Sequence, residues 1–143
     1  MGPSWAVVAT VDEPAPLIAA FAAHHLNEGA CEVHLFLDKP NRRIIKALET
    51  LPAAIASRLH VTRCNAEHWE ASSFGRRPYL HTRRQITNAQ IAYDRCTADW
   101  LLHCDADEFV RNGQVLMREL ARVDPAIDHM RLNVAERVLL PGV

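Results

Sequence analysis

The sequence predicts an α/β domain with a mainly parallel sheet and helices on both faces. Two observations carry this: short apolar runs alternate with segments of helical period, and three of the runs close on acidic residues. Crossovers of one hand then make neighbouring strands parallel. A chain of 143 residues suits one domain, spanning 1–143.

Trp5 to Val11 is an apolar run closed by Asp12-Glu13-Pro14, the pattern of a buried first strand. Leu17, Ile18, Phe21, His25 and Leu26 follow at helical spacing up to Gly29, a helix stop. Cys31 to Leu37 reads as the second strand, closed by Asp38, Pro40 and Asn41. Ile44, Leu48, Leu51 and Ile55 predict one second helix, and Leu59 to Arg63 a short third strand. Cys64 to Tyr79 shows no period and is expected to be a long loop. Ile86, Ala89, Tyr93 and Cys96 predict a helix within Leu80 to Cys96, and Asp99 to Cys104 a fourth strand ending in Asp105-Ala106-Asp107-Glu108. Leu116, Leu120 and Val123 mark a last helix before Asp124-Pro125, and Met130 to Val134 is expected to be a last strand.

Composition narrows the function. Hydrophobic residues make up 49% and charged residues 23%, an ordinary globular mix. Lys plus Arg number 16 against 17 Asp plus Glu, so the basic excess of a nucleic-acid binder is missing. No apolar stretch approaches the ~20 residues that span a bilayer, which predicts no transmembrane segment. The opening Met1 to Ala6 has no basic lead-in of a secretory signal, and the four cysteines are spread singly, so reduced thiols and a cytoplasmic location are expected.

In a parallel sheet ligands sit at the carboxyl ends of strands. Asp12-Glu13, Asp38 and Asp105 to Glu108 should therefore gather on one edge, the candidate site. Asp105 and Asp107 lie two apart, so in an extended segment both project to one side. Two carboxylates ~4 Å apart repel by roughly 4 kcal/mol at an effective dielectric of ~20, which a divalent cation relieves. Oxygen ligands suit magnesium or manganese. Glycines occur only at 2, 29, 75, 113 and 142, so no glycine-rich phosphate loop can be written, and Arg76, Arg77, Arg83 and Arg84 are the expected phosphate partners. His24, His25 and His103 are expected to be structural, with His103 buried in the sheet.

Arg84-Gln85, Tyr93, Cys96 and Asp99-Trp100-Leu-Leu-His-Cys-Asp105-Ala-Asp107-Glu108-Phe109-Val110 together resemble the family-2-like glycosyltransferases with a D-x-D-E-F signature. Ala9-Thr10-Val11-Asp12-Glu13, Leu17 and Gly29 are similar to that family's opening. The resemblance implies a GT-A, Rossmann-like fold, a nucleotide-sugar donor and Mn2+ or Mg2+. It implies that Thr10, Glu13 and Asp38 line the nucleoside pocket, that Arg84 and Gln85 support the nucleotide, and that Asp105 contacts ribose and metal. Asp107 would hold the metal bridging the diphosphate. The acceptor, whether glycan, lipid or protein, is unspecified. In this class the acceptor half follows the D-x-D, and the chain stops at Leu140 to Val143, so a donor-binding half is expected. Two alternatives stay open: a non-catalytic or partner-dependent nucleotide-binding remnant, and a nucleotidyltransferase. A sheet edge left uncovered predicts association into a homo-oligomer.

Overall fold

β1 (Trp5–Val11) is buried along all seven of its residues. An unbroken apolar strand of this kind needs cover on both faces and a partner on each edge, and β1 has both. In the computed structural model, which describes residues 2–136, β1 pairs in parallel with β2 (Glu32–Leu37) on one side and with β4 (Trp100–His103) on the other. β3 (Leu59–Arg63) pairs in parallel with the far edge of β2, giving the order β3-β2-β1-β4. The chain is thus an α/β fold of Rossmann-like type. The order runs outward from β1 to β3 and then jumps back across β1 to β4, so the switch in direction falls between the carboxyl ends of β1 and β4.

The period of two along each strand divides the side chains between two cores. Trp5, Val7, Ala9 and Val11 of β1 and Val33, Leu35 and Leu37 of β2 pack with Ile18, Phe21, Ala22 and Leu26 of α1 (Ala15–Asn27), Ile44 and Leu48 of α2 (Arg42–Glu49), and Leu120 of α6 (Gly113–Ala121). On the opposite face Val8 and Phe36 pack with Trp69 of α4 (Ala66–Ala71) and Ala92 of α5 (His81–Arg95). The expected cover of both faces is therefore present.

Several expectations need correction. The second helix is not continuous: α2 ends at Glu49 and a short α3 (Ala53–Ala56) starts after Pro52. A proline at that point lacks the amide a continuing helix requires and clashes with the preceding turn. The segment 64–79 is not all loop, because Asn65 accepts a hydrogen bond from the His68 amide and starts α4. Met130 to Val134 forms no strand: its alternation is that of a half-buried strand, yet no described strand pairs with it. His103 lies on the face opposite Cys104 as the alternation requires, but it is exposed, because β4 is an edge strand. No helix among the described residues is long and apolar enough to cross a membrane, and none of the four cysteines is paired. The chain's end at Leu140 to Val143 lies outside the described residues.

Candidate functional site

The ends of β1, β2 and β4 are all met by one helix. Arg84, Gln85 and Asn88 occupy adjacent positions on α5, since residues three and four apart share a helix face. Each reaches a different strand. Arg84 donates from Nε to Asp38 Oδ1 at 2.9 Å, just past β2. Gln85 Nε2 donates to Asp105 Oδ1 at 2.8 Å, two residues past β4. Asn88 Nδ2 donates to Thr10 Oγ1 at 2.9 Å near the end of β1, while its Oδ1 lies 2.9 Å from His68 Nε2. Asn88 is fully buried, and the neighbouring Cys64 thiol is pushed up to about 12 by burial.

Asp38 is the most enclosed carboxylate of the group at 2% exposure. Arg84 Nη2 and Arg77 Nη2 reach its Oδ2 at 3.3 and 3.1 Å, and Arg77 Nη1 donates to its carbonyl at 2.9 Å. Both carboxylate oxygens are therefore held by guanidinium groups, which balances a buried negative charge. Arg84 also donates from Nη1 to the carbonyls of Pro78 and Tyr79, at 3.0 and 2.9 Å, and so shapes the turn into α5.

Beyond β4 the carboxylates of Asp105, Asp107 and Glu108 converge, with one oxygen from each lying within 4.8 Å of the others. Asp105 and Asp107 are exposed and Glu108 is half-buried. The loop turns on itself: the Asp105 amide donates to Glu108 Oε1 at 3.2 Å, and the Glu108 amide donates to the Asp105 carbonyl at 3.0 Å. Ala106 is buried beneath the carboxylates and anchors them to the core. Burial, reinforced by these carboxylates, pushes the adjacent Cys104 thiol up to about 12, which removes it as a nucleophile. An all-oxygen donor set of this size fits a hard divalent cation such as magnesium or manganese.

α1 holds the far end of the carboxylate loop. His24 Nε2 donates to the Val110 carbonyl at 2.7 Å. His25 Nδ1 donates to Phe21 O at 2.8 Å, so its Nε2 is free to accept from the Val110 amide at 3.3 Å. Phe109 lies stacked on His25, with centroids 5.8 Å apart. The two histidines are structural, as expected, and their targets are the two backbone polar groups of a single residue.

Six of the seven expected residues join this arrangement by hydrogen bonds or by carboxylate convergence: Thr10, Asp38, Arg84, Gln85, Asp105 and Asp107. Glu13 does not; its Oε2 accepts from the Asp12 amide at 2.7 Å. Sequence reasoning missed Asn88, although its spacing of three and four from Gln85 and Arg84 marks the same polar helix face. It also left Arg77 as one of four loop arginines without naming Asp38 as its partner. Comparisons of the chain with models of protein families, with curated proteins and with solved structures find no match.

Proposed function

We propose that this chain binds the donor of a metal-dependent glycosyltransferase reaction, in which the sugar of a nucleotide-sugar moves to an acceptor. The observation that carries the reading is the carboxylate trio at the switch point, where open parallel sheets place their ligands. The resemblance of Asp99 to Val110 to the D-x-D-E-F glycosyltransferases supports it. In this reading Asp105, Asp107 and Glu108 hold Mn2+ or Mg2+. The metal, when bound, would offset the charge that develops on the departing diphosphate. Gln85 orients Asp105 and leaves that residue's second oxygen free to ligate. Arg76 and Arg83 are exposed and, among the described residues, form no ion pair, so they are the cations open to phosphate oxygens. Arg84 and Arg77 are engaged by Asp38, so Asp38 acts through the arginines it holds. Thr10, held by Asn88, lies on the nucleoside side, and Glu13, turned to the Asp12 amide, takes no part.

Calorimetric titration with nucleoside diphosphates, with and without manganese, tests the reading on wild type and Asp107→Asn. The expected result is binding strengthened at least tenfold by manganese, about 1.4 kcal/mol, and lost in the variant. Equal binding with and without metal would overturn it. Preference for a nucleoside triphosphate, with diphosphate released, would favour the nucleotidyltransferase. Metal-dependent binding with neither transfer nor donor hydrolysis would favour the non-catalytic remnant.

A further inference from the structure

At the opposite end of the sheet, near the amino ends of β2 and β3, a second polar cluster takes no part in the site above. Glu32 and His34 are two apart on β2 and so share a face, and His60 is the register partner of His34 on β3. Glu32 Oε2 lies 2.8 Å from His34 Nε2 and 3.7 Å from His60 Nε2. The other carboxylate oxygen accepts from the Thr97 hydroxyl, which turns Oε2 toward the imidazoles. The two rings are stacked with centroids 4.6 Å apart.

We propose that Glu32, His34 and His60 form a zinc site that ties β2 to β3. Two imidazoles and one carboxylate are a donor set that zinc favours. Zinc bonds of ~2.0–2.2 Å at tetrahedral angles put ligand atoms roughly 3.3 Å apart, and the two separations from Oε2 straddle that value. The His60 side chain, 54% exposed, turns out of its stack to aim Nε2 at the ion, and water takes the fourth position. The Thr97 hydroxyl fixes the carboxylate from behind, as partners of metal ligands do. Arg95 adds positive charge near His34, and the thiols of Cys31 and Cys96 lie within electrostatic reach of Glu32.

The test is titration of the full chain with zinc against a chromophoric chelator, in excess magnesium so that the carboxylate trio is occupied. Cobalt(II) spectra serve as a second readout. One zinc per chain is expected, with a tetrahedral cobalt spectrum. His60→Gln and Glu32→Gln should each weaken binding at least tenfold and remove that spectrum, while Cys31→Ser with Cys96→Ser leaves both unchanged. His60 is exposed, so its variant keeps the wild-type circular dichroism. Binding undiminished in both variants, lost in the serine variant, or abolished by magnesium would overturn the assignment. The failure of nucleotide binding at Asp107 would leave it untouched.

Discussion

His25 joins three parts of the molecule through one neutral ring: it donates to Phe21, accepts from Val110 and stacks on Phe109. Burial lowers its pKa below the usual 6.5, and the same is true of His34. In both cases the unfolded chain takes up a proton before the folded chain does. Stability is therefore complete above pH 6.5 and falls as the pH drops below it, by up to about 1.4 kcal/mol per pH unit for each histidine. Thermal unfolding at pH 7.5, 6.5 and 5.5 should show a Tm that is flat across the first interval and declines across the second. His25→Phe, which cannot take the proton, should lessen that decline and leave the part due to His34. An equal Tm at all three values would contradict the assignment.

At the scale of elements, Gly113 sets how closely α6 approaches α1. A Cβ at this position would lie 1.6 Å from the Glu28 carbonyl oxygen, and the Gly113 amide donates to Glu28 Oε2 at 2.7 Å. Backbone cannot yield as a flexible side chain does, so Gly113→Ala should push α6, with its buried Leu120, away from the core and cost about 3 kcal/mol. Urea unfolding reads this as a lower midpoint at unchanged slope. How much of these elements was legible depended on what surrounds them. β1 was plain because a strand covered on both faces is apolar throughout, and β2 because Val33 and Leu35 to Leu37 keep an apolar run despite Glu32 and His34. α5 was legible as a helix but not in its orientation. Its apolar Ile86 and Tyr93 are 60% and 68% exposed, whereas Thr87, Asn88 and Ala92 face inward. Tertiary hydrogen bonds to Thr10 and His68 outweighed the apolar period. α4 was hidden because six residues are too few to show a period.

Across the whole molecule the strands differ in cover. β1 is hydrogen-bonded on both edges and buried throughout, whereas β3 and β4 are edges with half-buried or exposed residues. Hydrogen exchange should therefore be slowest at β1 amides, with β4 and α6 exchanging first. Equal protection of β1 and β4 would show that opening is global. The same topology explains what the sequence could disclose of the two polar sites. Acidic residues at strand ends belong to one edge once the strands are parallel, so Asp38, Asp105 and Asp107 could be grouped in advance. The Glu32, His34 and His60 cluster could not, because it depends on the register between β2 and β3, which neither strand records alone. The engagement of α5 with the ends of β1, β2 and β4 has a further consequence. Arg84 and Gln85 already hold resident carboxylates, so any ligand recruiting them exchanges partners instead of gaining them. A phosphate brought to Arg84 would compete with Asp38, and its net affinity would be the difference between the two bonds. This polar face of α5 is in that sense occupied by the protein's own acids, and a ligand would need to bring charge enough to displace them or a cation to share them.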